Sequence, residues 1–102
     1  MLLTVVKGQA VSTAKVGNLD GQKLLLVEIV TIADGELART GRHMVCVDAV
    51  GAGEGDLTIS VMGSSARFTP GMEEVPTDAV IVGIVDHLHT SGRSIGRDEI
   101  PE

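Results

Sequence analysis

Residues 23–32 read Lys-Leu-Leu-Leu-Val-Glu-Ile-Val-Thr-Ile, an almost continuous apolar run. A run of that length and β-branched content reads as a strand covered on both faces. Turn chemistry bounds it on either side. Gly17-Asn18-Leu19-Asp20-Gly21 precedes it, and the Asp34-Gly35 pair that follows Ala33 is a tight-turn dipeptide. A strand covered on both faces needs partners beside it and layers above and below it, so the rest of the chain is constrained to supply them.

The remaining apolar segments have the same character. Residues 2–14 are β-branched and apolar and are interrupted at Gly8, which predicts a long strand bent at that glycine. Residues 43–50 predict a third strand, with the loop 34–42 leading into it. In residues 57–62 the alternation is clean, with Leu57, Ile59 and Val61 on one face and Thr58 and Ser60 on the other. Residues 79–85, Ala-Val-Ile-Val-Gly-Ile-Val, predict a fifth strand. Between the last two, residues 64–68 predict one helical turn with a serine as its N-cap.

Five short strands with one helical turn before the last describe an all-β fold, a small five-stranded barrel of the oligonucleotide-binding (OB-like) kind. The barrel is expected over residues 1–86 as a single domain. Residues 87–102 are polar, with Gly92, Gly96 and Pro101, and are expected to form a mobile tail or one ordered only against a neighbour.

Composition narrows the function. Apolar residues are 43% of a 102-residue chain, yet Phe68 is its only aromatic residue. A domain this small has little interior, so part of that aliphatic surface is expected between subunits of an obligate oligomer. The net charge is −6, and its excess lies in residues 51–102, where three Lys/Arg face nine Asp/Glu. Nucleic-acid barrels combine a basic groove with stacking aromatics, so this chain is poorly suited to bind nucleic acid. No apolar run approaches the roughly 18 residues of a membrane span. Residues 1–7 lack the basic start of a signal peptide, and the single Cys46 fits a reducing cytoplasm.

Four motifs invite a chemical reading. Gly51-Ala52-Gly53-Glu54-Gly55-Asp56 is glycine-rich, but it leads into a strand rather than a helix, and its two carboxylates repel phosphate. Its glycines suit a tight connection or a place where backbones of several subunits crowd together. Gly63-Ser64-Ser65-Ala66-Arg67 departs from the Gly-x-Ser-x-Gly nucleophile elbow. A serine cap and an Arg67–carboxylate pair, within one chain or with an adjacent one, account for it. His87-Leu88-His89 places both imidazoles on one side if the strand continues, but with no Cys pair beside them they read as a solvated strand end. Asp98, Glu99 and Glu102 read as a solvated, acidic chain end. A small hydrolase or metal enzyme using His43, His87 or His89 is the enzymatic alternative.

Several of these stretches resemble one family, the pentameric vertex proteins of bacterial microcompartments. They are Lys7-Gly8-Gln9-Ala10-Val11-Ser12-Thr13-Ala14-Lys15, Leu19-Asp20-Gly21-Gln22-Lys23-Leu24-Leu25-Leu26-Val27, and Asp78-Ala79-Val80-Ile81-Val82-Gly83-Ile84-Val85-Asp86. The most specific is Val47-Asp48-Ala49-Val50-Gly51-Ala52-Gly53-Glu54-Gly55-Asp56, running on to Gly63-Ser64-Ser65-Ala66-Arg67. The resemblance implies a non-enzymatic structural protein, a homo-pentamer capping shell vertices in the cytoplasm beside hexameric shell proteins. It implies no catalytic residue and no cofactor; the histidine spacing leaves no metal site expected, and charge, the single aromatic and apolar run length leave no nucleic-acid or membrane partner expected. Gly51, Ala52, Gly53, Gly55, Ser64, Ser65 and Arg67 are the expected subunit-interface residues. The alternative within the binding class is a small barrel adaptor that takes a partner protein by strand addition.

Overall fold

The computed structural model describes residues 1–10, 23–63, 78–90, 92–96 and 99–100. Seven strands lie among them: β1 (Leu2–Ala10), β2 (Leu24–Ala33), β3 (Glu36–Asp48), β4 (Leu57–Met62), β5 (Ala79–Ile84), β6 (His87–Thr90) and β7 (Arg93–Gly96). The first five close into a barrel in the order β1-β2-β3-β5-β4. Every seam is antiparallel except β3–β5, which is parallel and joins only Val47 to Val80 and Asp48 to Ile81. This is the five-stranded OB-like barrel expected from the strand spacing. The helical turn expected over residues 64–68 lies outside the described residues.

Local chemistry explains the bends. At Gly8 the β1–β2 register shifts by one residue, between Val6 and Gly8, as an interrupted apolar strand predicts. Asp34 (φ 53°) and Gly35 (φ 76°) form the β2–β3 turn, both in the left-handed region that a two-residue hairpin loop requires. The loop expected over residues 34–42 is instead mostly strand: β3 begins at Glu36 and pairs with β2 from its first residue. Its first half, Glu-Leu-Ala-Arg-Thr, is too polar to show strand periodicity. Pairing to an apolar neighbour overrides that weak local signal.

Three apolar clusters divide the core. Val6, Leu25, Val27, Cys46, Ala52, Ala79 and Ile81 fill the barrel interior. Val47 and Val80 lie on the other face of β3 and β5, with Leu24, Val61 and Val82 against them. The third cluster joins Val5, Val30, Leu37 and Leu57 to Ile95 of β7. Thus within 87–102 the described residues form a β6–β7 hairpin that packs on the barrel. Leu88 faces Ile95 across it, Ile95 is only 1% exposed, and Gly92 turns with φ 76°.

The alternation of β4 has an inverted meaning. Thr58 and Ser60 point into the barrel and are fully buried, while Leu57 packs outward under the hairpin. Thr4 Oγ1 lies 2.7 Å from Thr58 Oγ1 and 2.8 Å from Ser60 Oγ, and Thr58 Oγ1 donates to the Thr4 carbonyl over 3.1 Å. Hydroxyls are tolerated inside because they satisfy one another; unpaired, each would cost about 1–3 kcal/mol.

Candidate functional site

The glycine-rich connection between β3 and β4 is a turn clamped at both ends. Asp48 Oδ1 accepts from the Val50 and Gly51 N–H groups over 3.0 and 3.1 Å. Asp56 Oδ2 accepts from the Gly53 N–H over 2.8 Å, and the Asp56 N–H donates to the Gly53 carbonyl over 3.0 Å. Backbone bonds from Gly55 N to Val6 O (2.9 Å) and from Val6 N to Asp56 O (3.0 Å) tie the turn to β1. From the other side, the Lys23 ammonium donates to the Ala52 carbonyl over 2.7 Å and sits 3.6 Å from Asp48 Oδ2. Both carboxylates are therefore engaged by the loop's own N–H groups, where a phosphate-binding loop would keep those donors for a ligand.

The glycines of this turn differ in why they are glycine. Gly51 (φ 80°) and Gly55 (φ 89°) occupy the left-handed region, where a side chain is strained wherever it points. Gly53 does not, and a Cβ built there would meet only Asp56 Oδ2 at 3.9 Å, an ordinary contact. Among the described residues nothing requires position 53 to be glycine. Ala52 is buried in the barrel interior, whereas Gly51, Glu54 and Gly55 are exposed. Ser64, Ser65 and Arg67 lie outside the described residues.

A second polar centre was not legible as a motif. Glu28, in the middle of the apolar β2 run, is 0% exposed. Its carboxylate accepts from Arg39 Nε (3.0 and 3.2 Å) and from the Gly41 N–H (2.9 Å). Lys7 Nζ stands at 3.8 Å and His43 Nε2 at 4.0 Å. Gly41 (φ 75°) sits in a bulge where the β2–β3 register shifts between Glu28 and Val30. Removal from water acts to raise the Glu28 carboxyl, but the Gly41 N–H, the bond and charge of Arg39 and the charge of Lys7 outweigh it, leaving the pKa below the usual carboxylate value. A lone glutamate inside a run read as covered on both faces was the available signal that a salt-bridged centre sits there.

The remaining candidates are separate in space or chemically quiet. His87 and His89 share the outer face of β6, with ring centroids 5.1 Å apart, while His43 belongs to the Glu28 centre. Cys46 is fully buried, and burial, with the Asp78 charge, pushes its thiol pKa up against the lowering effect of Ser60. No group of three or more metal-binding side chains occurs among the described residues.

A closed barrel, a self-satisfied glycine turn and a salt-bridged hairpin define a structural β-barrel module. A profile of the family described as ethanolamine utilisation protein EutN/carboxysome matches residues 1–86. PduN, a bacterial microcompartment shell vertex protein of Salmonella typhimurium, is 48% identical over 90 residues, covering 86% of this chain and 98% of its own. The solved structure of CcmL from a Nostoc species superposes with a TM-score of 0.83 at 38% identity, covering 94% of this chain and 98% of its own. The GrpN pentameric microcompartment shell protein from Rhodospirillum rubrum does so with a TM-score of 0.74 at 43% identity, over 88% and 98%. The chain belongs to this EutN/carboxysome family of shell vertex proteins, and its role is structural rather than enzymatic.

Proposed function

We propose that this chain forms a homo-pentamer that caps the vertices of a bacterial microcompartment and docks there against hexameric shell proteins. The observation that carries the reading is the match of this barrel to pentameric GrpN along 98% of that protein's length. A sheet of hexagonal tiles is flat, and fivefold units at its corners supply the curvature that closes it. Cyclic symmetry then makes each subunit present one surface to the next and a different surface to the one behind.

Surface chemistry supports a subunit that does not live alone. Leu26 and Val45, paired across β2 and β3, point outward and are 37% and 48% exposed. Met62 and Ile84 are similarly open. Within the ring we assign Gly51, Gly53 and Gly55, with Ser64, Ser65 and Arg67 beyond them, to the subunit junction. Gly53 is the informative member, since its missing side chain has no explanation among the described residues of one subunit. The backbone around Ala52 belongs to the same junction while its methyl group fills the barrel. Five copies carry a formal charge of 5 × −6 = −30, which a basic edge on neighbouring tiles would complement.

The test is co-expression with a hexameric shell protein. Closed polyhedral shells in electron micrographs only when this chain is present are the expected result. Unchanged sheets or tubes, with the chain left out of them, would refute the vertex role. The adaptor reading rests on the short β3–β5 seam of two residue pairs, and it predicts a soluble complex with a partner and no closed shell.

A further inference from the structure

The family profile ends at residue 86, and the β6–β7 hairpin begins at His87. One face of that hairpin is accounted for by packing, since Leu88 and Ile95 join the apolar cluster beneath it. The other face carries His87 and His89, both exposed, at alternate positions of one strand. Their ring centroids are 5.1 Å apart, with the planes at 89°. Across the hairpin, His87 faces Gly96 and His89 faces Ser94. So the strand beside the imidazoles presents no side chain at one position and a single hydroxymethyl group at the other. The facing strand β7 thus sets no bulky side chain against the pair and offers one oxygen at its edge.

We propose that His87 and His89 form a two-imidazole chelate for a divalent late transition metal. Imidazole nitrogen suits Zn²⁺, Ni²⁺ and Cu²⁺ and gives hard cations such as Mg²⁺ or Ca²⁺ little. Two donors held on one strand turn the second coordination step into an intramolecular one, so they bind together far better than either alone. The described residues offer no third histidine, cysteine or carboxylate to the cluster. Water or an incoming ligand therefore completes the coordination sphere, and the site is exchangeable rather than a structural centre that holds the fold. The site needs no ring of subunits to exist, so its failure and the failure of the vertex reading are independent.

The test is isothermal titration of the full, untagged chain with Ni²⁺ and with Zn²⁺, read alongside the histidine ring resonances in NMR. One ion per chain is expected, with both His87 and His89 resonances moving. His87→Ala and His89→Ala should each weaken binding by about tenfold or more, because each destroys the chelate. His43→Ala should bind as the wild type does, and excess Mg²⁺ should not compete. Both variants change only the exposed face, so the circular-dichroism spectrum should be retained. Absence of binding, or single variants that each bind as tightly as the wild type, would overturn the proposal.

Discussion

The Gly53 N–H donates to the Asp56 carboxylate over 2.8 Å, closing the turn from within, and among the described residues only Asp56 Oδ2 lies near where a Cβ on Gly53 would stand. Gly53→Ala should therefore leave the isolated fold intact, neutral or more stable by up to about 1 kcal/mol through a less flexible unfolded chain. Gly51→Ala and Gly55→Ala should each cost about 1–2 kcal/mol, because φ near +80° to +90° is unfavourable for an L-residue. Thermal melts of the three variants separate these outcomes.

Gly53→Val extends the same point to assembly. The Cβ of a β-branched side chain there has only Asp56 Oδ2 near it, at 3.9 Å, among the described residues, so the far-UV spectrum should be unchanged. If subunits crowd at this turn, the ring should fail to form. A normal ring in this variant would remove Gly53 from the junction.

Ile95 reaches the barrel from a hairpin that sequence reading treats as a tail. Ile95→Ala empties a fully buried site shared with Val5, Val30, Leu37 and Leu57, and should cost about 2–5 kcal/mol by urea denaturation. A loss under about 0.5 kcal/mol would mean that the hairpin does not rest on the barrel in solution.

Glu28 predicts a direction of pH dependence. Its folded pKa is depressed, so the unfolded chain binds the proton more readily. The stability it contributes is complete above the unfolded value of about 4.3 and fades as pH falls through the lower folded value. Glu28→Gln should lower the urea midpoint at pH 7 and flatten its decline between pH 5 and pH 3. An acid decline as steep in the variant as in the wild type would place the sensitivity elsewhere.

Cys46 reports on barrel opening. A buried thiol with a raised pKa presents little thiolate. An aromatic disulfide reagent at pH 7 should find no reactive thiol in the native protein and one per chain in denaturant. Rapid native reaction would mean that the barrel breathes at the β3–β5 seam.

The parts of this fold that are legible in sequence are those where one residue type decides the outcome locally. The apolar run of β2 needs cover on both faces, Asp34-Gly35 can only turn, and Gly8 marks a register shift. The illegible parts depend on partners distant in the chain. The polar first half of β3 is strand because β2 lies beside it, and the hairpin rests on two apolar residues, Leu88 and Ile95, whose partners Val5, Val30, Leu37 and Leu57 lie far back in the chain. Thr58 and Ser60 read as a polar face, yet they turn inward because Thr4 meets them there. At the candidate site, the glycines of residues 51–55 stand out in sequence. The Lys23 clamp on Ala52 does not, since the two lie 29 residues apart.

The pentamer is tested most directly by the native mass of the purified protein. Native mass spectrometry suits a chain with no Trp or Tyr, which absorbs almost nothing at 280 nm. The account predicts a dominant species of 5 × 10.6 = 53 kDa. A stable 10.6 kDa monomer, or a closed ring of any other number, would contradict it.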